Sequence, residues 1–266
     1  AYLGLACIAL FLVLPLNLFF CRYRPADKGL TVDGLPEEAP EAAAAPGAAP
    51  RHYEWTLGSA FRSYQCWCVF GAYAFSSLML QIVMIHQFAF LTDLGITRGV
   101  GAALISLIGI FNICGQVSGG VLCDRYGSEV AYTVSASLVV LGLGVLMLLR
   151  PGGVTAPYYI YPILFGIGSG GAGMIPVVAT ADIFQGPQFA AVAGSNSLGW
   201  GLGGGIGPLL AGWIFDVTNS YQIAFVIAMF VSAAGAATIW IAAPRIFRRR
   251  LHEAATVQAS AAGAPS

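Results

Sequence analysis

Few side chains in this 266-residue sequence can do chemistry. His86 stands inside a long apolar stretch and can exchange a proton near neutral pH. The amides Asn112, Gln116 and Asn196 can donate and accept hydrogen bonds without carrying a charge. A third group is the run Gly120-Val121-Leu122-Cys123-Asp124-Arg125-Tyr126-Gly127, in which opposite charges adjoin a glycine; Asp182 stands alone at the end of another apolar stretch. None of these groups pairs a nucleophile with a base, sets two carboxylates together or gathers metal ligands. The chemistry on offer is hydrogen-bond recognition, proton exchange at one imidazole and charge pairing. No enzyme activity, metal or cofactor is expected from it. The six cysteines, Cys7, Cys21, Cys66, Cys68, Cys114 and Cys123, mostly lie in or beside apolar stretches, and Cys66-x-Cys68 has neither metal nor redox spacing.

The elements that must position these groups are read from where the charges are not. Asp, Glu, Lys and Arg are absent from 1–21, 63–92, 99–123, 130–149, 151–181, 183–215 and 217–244, runs of 20 to 33 residues. A helix of about 20 apolar residues crosses roughly 30 Å of hydrocarbon. A soluble helix would carry a charged face, and these runs have none. Hydrophobic residues make up 58% of the chain and charged residues 9%, which fits a bilayer and not water. Uninterrupted apolar runs lack the in-out alternation of a membrane β-barrel. A net charge of zero gives no reason to expect a nucleic-acid partner. The fold class is therefore all-α integral membrane with seven transmembrane helices.

The spans are predicted at 1–21, then at about 64–91, 99–122, 130–149, 158–181, 188–214 and 221–243, with a tail from 246 to 266. Residues 22–63 form one long polar connection. Its Ala-, Pro- and Glu-rich middle, 36–50, has no apolar face to bury and is expected to be disordered. Trp55 to Arg62 reads as a short interfacial helix capped by Thr56. With 22–63 on the cytoplasmic side, ten basic residues lie inside and two, Arg98 and Arg150, outside. The carboxyl terminus is then cytoplasmic, in a multi-pass protein of the plasma or inner membrane. Residue 1 is Ala and no basic region precedes the first run, so a signal peptide is not expected and an upstream part is.

Glycines crowd 166–173 and 199–207. They contain formal G-x-G-x-x-G matches, but no preceding strand, so the dinucleotide reading fails. Small residues four apart, such as Gly115 and Gly119 or Gly203 and Gly207, let helix backbones approach closely.

The run from Gly120 to Gly127 resembles the signature G-x-L-A-D-R-x-G-[RK]-[RK] of the major facilitator superfamily; Ser128 and Glu129 stand where that family carries basic residues. Arg24-Pro25-Ala26-Asp27-Lys28-Gly29-Leu30, Thr92-Asp93-Leu94-Gly95-Ile96 after His86, and Gly207-Pro208-Leu209 onward resemble its monocarboxylate and oxalate–formate branches. The resemblance spans residues 1 to about 245. It implies helix six, the central cytoplasmic loop and helices seven to twelve of a twelve-helix transporter. It also implies a secondary active transporter of a small organic solute, working by alternating access with a missing N-terminal half, and a coupling proton as a candidate partner. Gly120, Asp124, Arg125 and Gly127 would form a cytoplasmic latch, with Asp182 the acid for Arg125. Monocarboxylate transporters carry an acid and an arginine four residues apart on helix eight, and oxalate–formate exchangers carry Asn-x-x-Gly-Arg there. This chain has Asn112-Ile113-Cys114-Gly115-Gln116, with an amide in place of the arginine.

Asn112 and Gln116, four residues apart, share one helix face. Asn112, Gln116 and Asn196 are candidate solute ligands, or else hydrogen bonds between helices. His86 is a candidate for proton coupling or gating, or else an amphipathic residue at the interface. The alternative to transport is a membrane sensor or scaffold with the same fold.

Overall fold

The computed structural model describes residues 55–150, 156–186 and 188–246, together with 11, 14 and 15. Apart from those three residues the first expected span lies outside the described residues, as do the connection up to residue 54 and the tail from 247. The chain divides into two units, Ala1–Ala49 and Pro50–Ser266, and every element below belongs to the second.

Among the described residues from 55 onward seven helices follow one another: α1 Leu57–Arg62, α2 Tyr64–Asp93, α3 Arg98–Tyr126, α4 Ser128–Met147, α5 Ala156–Ile183, α6 Phe189–Thr218 and α7 Gln222–Ala242. All but α1 are long and apolar enough to cross a membrane. Their ends are set by local chemistry. Thr56 Oγ1 accepts from Ser59 N–H at 3.2 Å and Ser59 Oγ accepts from Thr56 N–H at 3.0 Å, a reciprocal cap on α1. Ser63 caps α2 through Cys66 N–H. Helix α3 does not stop before Asp124 but runs through Arg125 and Tyr126. The first residue able to break it is Gly127, at φ +90°. The charged signature residues thus ride on a helical turn.

Helices α2–α4 and α5–α7 form two sets of three. The closest pairs are α2 with α6 and α3 with α5, and the next are α4 with α5 and α2 with α7. Exchanging the two sets maps each pair onto its counterpart, the mark of an internal structural repeat. Glycine makes the two closest seams. A Cβ on Gly203 would collide with the Ala74 carbonyl, and one on Gly115 with the Ile167 carbonyl. Gly199, Gly203 and Gly207 meet the backbone at Phe70, Ala74 and Leu78, in step along two parallel helices. Backbone contact of this kind supplies the dispersion energy that association in lipid requires.

Helix α5 is the most enclosed, and α3 and α6 the least. Exposed aromatic residues gather at both ends: Tyr64, Trp67 and Tyr126 at the end nearer Gly127, Tyr159 and Trp213 at the other.

Prolines interrupt α5 at 162 and 176 and α6 at 208. Pro176 has no N–H for the Ala172 carbonyl four residues before it. Ser76 Oγ of α2 donates to that carbonyl at 2.8 Å. The single Ser76 proton is then used, so the 2.6 Å contact with Tyr132 Oη is a bond donated by the tyrosine. This chain of two hydrogen bonds joins α4, α2 and α5 in the buried interior. Tyr132→Phe is expected to lower stability by about 1 kcal/mol. Ser76→Ala should lower it more, because it strands a buried carbonyl as well. Thermal unfolding of the two variants in one detergent checks the order.

Candidate functional site

Two of the expected ligands come together. Gln116 Nε2 donates to Asn112 Oδ1 at 2.9 Å, and Asn112 Nδ2 donates to Ser169 Oγ at 3.1 Å. Ser169 Oγ passes its proton to the Gly166 carbonyl at 3.1 Å. Ser169 is buried on α5, Asn112 is half-buried and Gln116 is exposed. The chain therefore runs from the α3–α5 seam out to an open flank of α3. The close approach of α3 to α5 at Gly115 and Gly170 is what brings these side chains within reach. Each amide spends one donor inward. Gln116 keeps its carbonyl oxygen and its second N–H for an outside partner. It is flanked by Ile113 and Val117, 65% and 66% exposed, so the polar tip stands in an apolar surface.

Asn196 is placed elsewhere. It is 1% exposed, in the seam between α6 and α2, and its Oδ1 accepts from Cys66 Sγ at 3.3 Å. Its Nδ2 is buried without a partner.

His86 lies near the end of α2 remote from Gly127. Its Nε2 is 3.4 Å from the Pro208 carbonyl, so that nitrogen carries the proton and α2 is tied to α6 there. The ring packs against Tyr221 at 5.3 Å, and Tyr221 stacks on Phe215 at 4.2 Å. Burial, and then the negative charges of Asp93 and Asp216, raise the Tyr221 phenol above its ordinary value, so it stays a neutral donor.

At the other end, Gly120 lies under the Met174 methyl, which a Cβ would meet at 3.3 Å. Asp124 and Arg125 are exposed on the last turn of α3. Asp182, half-buried, accepts a hydrogen bond from Ser128 Oγ at 3.2 Å. Glu129 is buried in the first turn of α4, where the helix dipole favours an anion. Its Oε1 accepts the Arg245 backbone N–H at 3.0 Å and lies 3.9 Å from Arg245 Nε. The Arg245 guanidinium sits 5.1 Å from the Trp240 ring, whose Nε1 donates to Thr133 Oγ1 at 2.9 Å. Ser128 and Glu129, the two departures from the signature, thus bind the start of α4 to α5 and to the end of α7.

Glu129→Ala is expected to lower stability by about 1–2 kcal/mol by stranding the Arg245 N–H. Glu129→Gln keeps an acceptor and should lose less than half of that. Thermal midpoints, together with hydrogen exchange at 243–246, decide it.

Sequence reasoning missed Ser76, Ser77, Gln87, Ser169 and Glu129. Gln87 is fully buried and accepts from Tyr161 Oη, joining α2 to α5. For Ser76, Gln87 and Ser169 the available signal was a polar residue in an apolar run, to which lipid offers no partner.

Residues 1–181 match the Major Facilitator Superfamily. Monocarboxylate transporter 9 of Pongo abelii is 29% identical over 140 residues, which is 53% of this chain and 27% of that protein. Monocarboxylate transporter 14 of Homo sapiens is 27% identical over 168 residues, 62% of this chain and 32% of that protein. The Rattus norvegicus monocarboxylate transporter 9 is 30% identical over 125 residues, 46% of this chain and 24% of its own length. The matched stretch is thus about a third or less of each of these relatives.

Proposed function

The chain belongs to the major facilitator superfamily, and from that premise we propose that it serves secondary transport of a small organic solute by alternating access. A second set of helices faces α3 and α6, and the solute binds between the two sets near the membrane midplane. The observation that carries this reading is the hydrogen-bonded chain Gln116–Asn112–Ser169, which is anchored at one end and open at the other. A polar tip on an apolar flank would be costly against lipid. Against a solute cavity it is a ready ligand.

The solute is a small polar compound of monocarboxylate-like size. Gln116 recognises it by hydrogen bonds, and any cation for a carboxylate comes from the facing helices. Arg125, exposed at the end of α3, pairs with Asp182 at the end of α5 when that side closes, and the excess of basic residues there supports a cytoplasmic placement. His86, held to Pro208, belongs to the opposite gate and is the candidate to carry a coupling proton.

The test is uptake by the complete transporter in proteoliposomes over a panel of small acids, alcohols and amides. Saturable uptake of at least one of them is expected. A protein that binds a solute and never moves it would instead be a sensor with this fold.

A further inference from the structure

Two adjacent serines on α2 face the two proline-bearing helices. Ser76 serves α5, donating at 2.8 Å to the Ala172 carbonyl that Pro176 leaves without a helical donor. Pro208 does the same to the Gly204 carbonyl of α6. The hydroxyl beside that site is Ser77. It is 0% exposed, and its Oγ has no hydrogen-bond partner. A Cβ on Gly204 would stand 3.2 Å from it. Helix α2 therefore presents one hydroxyl towards each proline-weakened turn, and in this structure the Ser76 bond is made while Ser77 stays unpaired.

An unpaired buried hydroxyl is costly unless another arrangement of the chain uses it. Helix α6 has the freedom to provide one. No atom of this chain lies within 4 Å of the positions a Cβ would take on Gly201, Gly205 and Gly212, so within this half nothing packs tightly against those positions. Pro208 weakens the helix between them, and proline is a usual origin of helix bending. At the other end of the same turn, His86 of α2 holds the Pro208 carbonyl at 3.4 Å. The Pro208 turn is thus gripped by α2 at one end and unserved at the other.

We propose that Ser77 is a positioning residue for transport. When α6 bends at Pro208, the Ser77 hydroxyl donates to the Gly204 carbonyl. Ser76 holds α5 in the arrangement seen here, and Ser77 holds α6 in the alternate one. The proposal rests on the transport reading above, but its test does not depend on that reading alone.

The test is a cycle of Ser77→Ala, Pro208→Ala and the double variant, in the complete transporter in lipid nanodiscs. Hydrogen exchange over residues 199–212 is read beside transport. Ser77→Ala, which removes the bond holding the bent arrangement, should slow exchange there about fivefold and lower kcat by a similar factor, with KM changed less than about twofold. Ser77→Thr, which keeps the hydroxyl, should retain most of both. Pro208→Ala gives the Gly204 carbonyl its own N–H, so a further Ser77→Ala should then change exchange by less than about twofold. An equal effect of Ser77→Ala with and without Pro208, or no effect with Pro208 present, overturns the pairing. If the exchange cycle behaves as expected but no solute is carried, the transport reading fails and the pairing stands.

Discussion

Gly203→Leu and Gly115→Leu are each expected to abolish most of the folded protein. At these positions even a Cβ collides with a backbone carbonyl of the facing helix, of Ala74 in one case and Ile167 in the other. Backbone cannot rotate out of the way as a side chain can. The helices must separate, and the seam loses its dispersion contacts along its whole length. Overpacking typically costs about 1–3 kcal/mol, and backbone obstruction belongs at or beyond the upper end. That is a large share of a total stability of roughly 5–15 kcal/mol. Gly205→Ala is the control, because nothing lies within 4 Å of its added Cβ. It should be neutral or stabilising by up to about 1 kcal/mol. Size-exclusion profiles and thermal midpoints of the three variants measure the contrast. A monodisperse Gly203→Leu protein with an unchanged midpoint would contradict the close seam.

Changing Gln116 should alter which solutes are carried. An amide offers hydrogen bonds and no formal charge. Hydrogen bonds to charged groups are roughly twice as strong as neutral ones. Gln116→Arg should therefore improve apparent affinity for small carboxylates about tenfold relative to neutral analogues. Gln116→Ala should raise KM for the native solute roughly threefold to tenfold, as one hydrogen bond is lost. Competition by neutral and anionic solutes against the carried one reads both effects. If the native solute is a carboxylate and Gln116→Ala leaves its transport unchanged, Gln116 is a packing residue and the anion is held wholly by the facing helices.

Much of the architecture was legible in the charges. In lipid a helix cannot hide a charge on a wet face, so each of the six charge-free runs from residue 63 onward marks one of the six described spans directly. The family was legible in the eight residues from Gly120 to Gly127. The partners inside the bundle were less so. These helices are apolar on nearly every side, and a helix without a polar face does not reveal which side meets which neighbour. Asn196 shows the consequence. It was a candidate ligand by its depth, and it lies in the α2–α6 seam against Cys66. Asn112 and Gln116 were correctly placed on one face, because spacing by four needs no knowledge of the neighbour. Their anchor, Ser169, sits 57 residues from Asn112 and becomes its partner only through the glycine seam. Glu129 read as a departure from a basic pattern. Its partner Arg245 is 116 residues away, and nothing local in the sequence joins them.

The most direct test of the account is whether Gln116 faces the solute path. A cysteine at position 116 is placed in the complete transporter with all its native cysteines, the six of this sequence among them, replaced by serine, in a background that retains transport. A small membrane-impermeant thiol reagent is added from one side and then from the other, with and without saturating solute. The account predicts alkylation from both sides in turn and protection by the solute. A thiol that stays unreactive from both sides while transport continues, or that reacts equally with solute present, would contradict it.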